Sequence, residues 1–366
     1  VGGEQRLFKN VQALRGISAC LVLLFHLGIR EVQDWPSSRF HLLYPFTLFG
    51  FSGVDLFFVI SGFVITIVNK EHFGKVQDIF LYWLKRFFRV FPIYWVTSLP
   101  MVVYLLAKGG SDWFSILAAL ALIPGYANIV NPVSWTLVYE IFFYAIFAIF
   151  LLFPWRMYPA FLFGWVLAIF AFQYAPALMN WQFLYDGTAF GVLNFNFIFG
   201  CCVALLVQKS IFRWSALSLF LGITIALVSV FMTALNLWPA GAPPLTDKGM
   251  QVLAFGIPAA FILYGLTGLE CCQNLILPKF LRTLGDASYS IYLSHYLVIL
   301  AAKPIYLQVS KLYWQIPFTV SMLIGTIAIG LLVYFKLEKP MLSLSRNVLN
   351  NQVQDRRLYW IPLRSA

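Results

Sequence analysis

Ten apolar runs, each near the ~17–25 residues that carry a helix through a hydrocarbon layer of about 30 Å, divide this chain. They fall at 11–29, 47–69, 87–107, 134–153, 158–175, 189–208, 215–235, 250–269, 284–301 and 313–335. A water-soluble core cannot absorb them, because 61% of the 366 residues are hydrophobic and only 11% charged, where a soluble domain is about half apolar and a quarter charged. Lipid offers the backbone no water, so each run must bond its own N–H and C=O groups, which selects helices. The expected fold is therefore all-α, a polytopic transmembrane bundle of about ten spans. The shorter apolar stretch at 113–123 starts after Gly109-Gly110-Ser111-Asp112 and stops at Pro124-Gly125. It predicts an interfacial or re-entrant helix.

Charge orients the bundle. With a cytoplasmic N-terminus the outer side keeps only Arg30, Arg39, Lys108, Lys248, Lys303 and Lys311, and the other 19 of the 25 Lys and Arg lie on the inner side. That asymmetry is the positive-inside pattern, and it puts both termini in the cytoplasm. The net charge of +11 follows from this bias, so no nucleic-acid partner is expected. Cys20, Cys201, Cys202, Cys271 and Cys272 lack metal-site spacing and read as reduced packing residues. No metal is expected, nor a cleavable signal peptide, because the first run is of full length and carries Arg15 and His26. The expected organisation is a membrane domain over 1–340 and a short cytoplasmic tail over 341–366.

Ionisable residues inside spans mark function by default. Arg15 and His26 lie eleven residues apart, close to a whole number of helical turns, so they share a face with His26 about 16 Å further along the axis. At the inner end, Lys85, Arg86 and Arg89 stand in Tyr82-Trp83-Leu84-Lys85-Arg86-Phe87-Phe88-Arg89. Arg86 and Arg89 are three apart and present two guanidinium forks, suited either to one polyanion or to lipid headgroups. Further out come His26, Asp55, Glu140 and His295, the last sharing a face with Ser288 and Tyr292. A histidine near carboxylates makes a general base with an orienting partner, and either Asp55 or Glu140 fills that part. A phosphate grip inside and a base about 16 Å away fit a long anionic thioester such as coenzyme A.

The residues also carry a resemblance. Gln12-Ala13-Leu14-Arg15-Gly16-Ile17-Ser18-Ala19 running to His26, Gly53-Val54-Asp55-Leu56-Phe57-Phe58-Val59-Ile60-Ser61-Gly62-Phe63, and Arg86-Phe87-Phe88-Arg89-Val90-Phe91-Pro92 resemble the acyltransferase 3 family of membrane-bound acyltransferases. Ser134-Trp135-Thr136-Leu137 with Glu140, and Leu284-Gly285-Asp286-Ala287-Ser288-Tyr289-Ser290-Ile291-Tyr292-Leu293-Ser294-His295, extend the likeness along the chain. The resemblance implies transfer of an acyl group, usually acetyl from cytoplasmic acetyl-CoA, to a hydroxyl of a cell-surface glycan. Arg15 with His26 would be the essential pair and Arg86 with Arg89 the Arg-x-x-Arg element. The start of the chain is most similar to branches acting on bacterial exopolysaccharides or Nod-type oligosaccharides, without the extra span and extracellular SGNH domain of other members.

The expected reaction places the donor's phosphates on Arg86 and Arg89, with Lys85 and Arg15 as further holders. His26 is the base toward a sugar hydroxyl arriving from outside. Trp135, Ser288, Tyr292 and His295 are candidates for the oxyanion or the acceptor. Both direct transfer and a covalent acyl-enzyme satisfy the sequence. Expected partners are a polysaccharide or lipid-linked oligosaccharide, membrane lipids and polysaccharide-assembly proteins, in a bacterial inner membrane. Trp35, Tyr44, Trp181 and Trp238 stack on sugar rings or form an interfacial belt. A rival of another class is a saccharide transporter or flippase using the intramembrane histidines and carboxylates.

Overall fold

Each predicted run contains helix in the computed structural model, which describes residues 8–34, 47–109, 112–174, 188, 190–238, 246–308 and 312–345. The helices are α1 (Lys9–Asp34), α2 (Ser52–Asn69), α3 (Ile79–Lys108), α4 (Trp113–Leu120), α5 (Trp135–Leu151), α6 (Tyr158–Tyr174), α7 (Asn194–Gln208) and α8 (Ser215–Ala234). Then comes α9, an α-helical turn Lys248–Gln251 followed by a π turn Val252–Gly256 and the segment Ile257–Gln273. After it come α10 (Lys279–Asp286), α11 (Ser288–Ala301), α12 (Lys303–Gln308) and α13 (Leu312–Val333), which runs into a second π turn, Tyr334–Glu338. No strand occurs among the described residues. Seven helical stretches are long and apolar enough to cross a membrane, while α5, α7 and α11 are apolar but shorter. The short apolar stretch forms α4, started by the Asp112 side chain accepting from the Ser115 amide at 3.1 Å.

Two boundaries differ from the sequence reading. Helix α3 begins at Ile79, eight residues before the expected 87, so Lys85, Arg86 and Arg89 stand within it rather than at its start. The expected span 284–301 is two helices. Residues up to Asp286 belong to the amphipathic α10, and the chain leaves helical geometry at Ala287, which is buried against Ala19 and Ile291. The N-terminal residues 1–7 and the tail from 346 lie outside the described residues, as do Trp35, Tyr44 and Trp181.

Helices α6, α8 and α13 bury little of their surface and form the perimeter, whereas α2 and α9 are the most enclosed. Close approach of α2 and α7 depends on two glycines. A side chain on Gly62 would meet the Phe197 carbonyl, and one on Gly200 would meet the Val59 carbonyl. Among membrane helices, where lipid is as apolar as leucine, such intimate packing supplies much of the association energy. Beside this seam an aromatic stack fastens α5 to both helices, with ring centroids 4.4 Å apart for Phe58 and Phe197 and 4.3 Å for Phe143 and Phe197. Gly200→Leu is therefore expected to lose the monodisperse peak in detergent chromatography, because backbone on the other side cannot retreat. A well-folded Gly200→Leu protein with unchanged thermal stability would show that the seam is dispensable.

Candidate active site

Helices α1, α2, α3, α5 and α11 enclose a cavity of about 160 Å³, room for on the order of ten waters or one slender chain. Its α2 wall runs from Val54 to Ile65, about 16 Å along the helix axis. Helix periodicity explains the polar lining. Thr136, Glu140 and Tyr144 repeat at i, i+4 and i+8 on one face of α5, and Ser288 and Tyr292 at i and i+4 on α11, and all five border the space.

Arg15, Arg86 and Arg89 all line it, but they are not equivalent. Arg89 Nη1 donates to Glu338 Oε1 at 2.7 Å, and its guanidinium lies 5.1 Å from the centre of the Tyr289 ring. Arg86 lies between the rings of Tyr82 and Tyr144, at 5.6 and 5.3 Å, and its Nε is buried without a hydrogen-bond partner. Arg15 forms no hydrogen bond or ion pair with any described residue. Two guanidinium groups thus border this end of the cavity without a hydrogen-bonded or ion-paired partner, with the Glu140 carboxylate as the acidic group lining the same space, and an entering anion would supply the direct contacts they lack. Lys85 is exposed and does not border the cavity.

The histidines form a separate cluster. His26 Nδ1 lies 2.9 Å from the Val22 carbonyl and 3.1 Å from His295 Nε2, and His295 Nδ1 lies 2.5 Å from the Tyr292 carbonyl. A carbonyl only accepts, so both Nδ1 atoms carry hydrogens. His295 Nε2 then offers a lone pair to the His26 Nδ1–H, and His26 Nε2 is left unprotonated, as a base requires. His295 is buried and His26 half-buried.

Neither expected carboxylate touches His26. Asp55 is 0% exposed and accepts from Asn196 Nδ2 at 2.7 Å and from Gln251 Nε2 at 2.8 Å. It clamps α2 to α7 and to the start of α9. Glu140 accepts from Ser61 Oγ at 3.4 Å and from the Tyr144 hydroxyl, so it belongs to the arginine end of the cavity. The orienting contact expected of a carboxylate is made by His295 instead.

Three other expectations change. Trp135 points away from the cavity into a recess shared with Asn128 and Tyr139, where Lys248 Nζ lies 5.9 Å from its ring centre, because α5 turns positions 135 and 136 to different sides. The Tyr292 hydroxyl lies 2.8 Å from Thr136 Oγ1 and donates to the Val133 carbonyl at 3.1 Å, so its hydrogen is already engaged. Ser288 Oγ is buried without a partner and borders the cavity. It lies about 10 Å inward of His295 along α11, too far to serve an oxyanion beside the histidines and well placed for a polar group further down. Nor does an open channel join Arg15 to His26. Ala19 and Val22, between them on the stripe, are each 1% exposed, and the cavity lining reaches Tyr292 on α11 but not His26 or His295. The Tyr292 ring lies 5.7 Å from that of Phe57 and 5.7 Å from that of His295.

Sequence reasoning missed Tyr144, Tyr289, Ser290 and Glu338. Tyr144 was findable, being one turn beyond Glu140 on the same face. Glu338 gave no signal, since it lies past the last apolar run between Lys336 and Lys339. Trp238 donates its indole N–H to Thr233 Oγ1 at 3.0 Å. Among the described residues no three His, Cys, Asp or Glu side chains converge as a metal site would need.

The family profile described as an acyltransferase domain matches residues 8–335, nearly the whole chain. The protein belongs to the acyltransferase 3 family. It is 30% identical to the exopolysaccharide production protein ExoZ of Rhizobium meliloti over 81% of this chain and 91% of ExoZ. It is 26% identical to the putative peptidoglycan O-acetyltransferase YrhL of Bacillus subtilis over 96% of this chain and 58% of YrhL. Against the peptidoglycan O-acetyltransferase OatA of Listeria monocytogenes it is 25% identical over 76% of this chain and 49% of OatA. The chain thus spans most of ExoZ but only about half of the other two. No solved structure matches it. The matched region contains both the arginine-lined cavity and the histidine pair.

Proposed function

We propose that the protein transfers acetyl from cytoplasmic acetyl-CoA to a hydroxyl of an exported or cell-surface polysaccharide, or of its lipid-linked repeat unit, in a bacterial inner membrane with both termini cytoplasmic. The observation that carries this reading is the pair of guanidinium groups without a hydrogen-bonded or ion-paired partner, Arg15 and Arg86, in a slender cavity whose α11 wall ends at Tyr292, itself packed on a histidine pair. Anionic phosphates suit the arginines, and an extended arm suits the cavity. Ser288 offers a hydroxyl to the arm's amides. The relatives' names supply the acceptor class, and none of them supports transport.

In the reaction, His26 Nε2 takes the proton of the acceptor hydroxyl while His295 holds the ring in the working tautomer. The oxygen attacks the thioester carbonyl, a C–O bond forms, the C–S bond breaks, and the thiolate leaving group takes the proton from His26. Access needs one side chain to yield. Moving Tyr292 breaks the bonds of its hydroxyl to Thr136 and Val133, whereas the Phe57 ring is held by apolar contact alone, so donor entry displaces Phe57.

The test is thiol release from acetyl-CoA by the protein in nanodiscs, with and without base-deacetylated exopolysaccharide. Acceptor-dependent release with matching O-acetyl gain by mass spectrometry is the expected result. Binding of acetyl-CoA without acceptor-dependent release, alongside uptake of the glycan into vesicles, would favour the transporter instead.

A further inference from the structure

We infer that Glu338 is a positioning residue of the donor site, which ties back Arg89 and offsets its charge so that the anionic product can leave. This rests on the reading of the cavity as a coenzyme A site and adds a division of labour among its three arginines. Glu338 is 1% exposed although it ends α13, a perimeter helix that buries little else. Both of its oxygens are engaged. Oε1 accepts from Arg89 Nη1 at 2.7 Å, and Oε2 accepts from Ser290 Oγ at 2.5 Å. Ser290 stands on α11 between Tyr289, whose ring carries the Arg89 guanidinium and whose hydroxyl donates to the Val90 carbonyl at 2.9 Å, and the cavity-lining Tyr292. The carboxylate therefore fixes the direction of Arg89 from behind while Arg89 still borders the cavity.

The physical consequence concerns release as much as binding. Three free guanidinium forks in a low-dielectric pocket would hold a polyanion tightly, and the spent thiol carries the same phosphates as the donor. With Arg89 neutralised, Arg15 and Arg86 carry the grip, and the product is not retained. A carboxylate placed only to fasten α13 would have no such effect on affinity.

The experiment is Glu338→Gln in the full-length protein in nanodiscs, read by inhibition with free coenzyme A and by steady-state turnover. Freeing one charge-assisted contact is expected to tighten coenzyme A inhibition by about tenfold while kcat falls, and Glu338→Asp is expected to restore part of both. Unchanged or weaker inhibition by coenzyme A in a folded Glu338→Gln protein would overturn the inference. If Glu338→Gln does not purify, Ser290→Ala removes one hydroxyl from the carboxylate and is expected to shift inhibition the same way by a smaller factor, and no shift there would equally overturn it. Failure of coenzyme A to inhibit the unsubstituted protein at all is a different outcome, which removes the donor reading itself.

Discussion

His26→Ala is expected to reduce acetyl transfer by on the order of 10²–10⁴, the usual contribution of a positioned general base, while leaving coenzyme A binding intact. The expectation follows from the separation of the two clusters, since His26 does not border the cavity that ends in the arginines. In energy the loss is about 2.7–5.4 kcal/mol of barrier. Turnover and isothermal binding of coenzyme A, measured on the same preparation, separate the two effects. Near-normal acetylation by His26→Ala would remove the base assignment. Because the ring is oriented by a neutral imidazole rather than a carboxylate, Asp55→Asn is not expected to mimic this loss. Its effect should instead be on folding, through the Asn196 and Gln251 contacts that clamp α2 to α7 and α9.

The second large effect is expected from Arg15→Ala combined with Arg86→Ala. Each removes a guanidinium that lacks a direct partner in the cavity, and a charge-assisted contact contributes about 1.5–3 kcal/mol. The pair should therefore raise the donor KM by roughly 10²–10⁴ if both touch phosphate. Arg86→Lys is expected to recover only part of this, because an ammonium lacks the planar fork and lies less well between the Tyr82 and Tyr144 rings. Titration with acetyl-CoA under saturating acceptor measures it. A double variant with unchanged KM would place the donor elsewhere.

Helix positions were legible because lipid forces every apolar run into one local geometry, so each run contains helix among the described residues, seven helical stretches there being long and apolar enough to cross a membrane. The starts of α3 and α11 were misplaced for different reasons. The apolar and aromatic residues 79–84 do open α3, but the basic Lys85, Arg86 and Arg89 that follow interrupt the run and hide its true start, and α11 starts only after the non-helical Ala287, which hydropathy does not mark. Within the site, Arg15, Arg86, Glu140, Ser288 and Tyr292 stood out as polar groups in apolar surroundings, and helical spacing put them on faces that do line the cavity. Asp55 stood out for the same reason but belongs to the framework. Its partners are 141 and 196 residues away, a pairing that periodicity cannot show. The two histidines meeting at 3.1 Å across 269 residues were equally invisible, though each was singled out alone.

The two π turns have a consequence for how the outer ring of this bundle communicates with its centre. Such a turn accommodates about one residue more than an α-helical turn, which swings everything beyond it by roughly 100°. At Tyr334–Glu338 that swing lets a helix whose sides are given over to lipid deliver one acidic group to the interior, and at Val252–Gly256 the adjoining turn holds the Gln251 amide on Asp55. Loss of a single residue from either turn would restore regular winding, leave every hydrophobic run intact, and still rotate the wrong side chains inward.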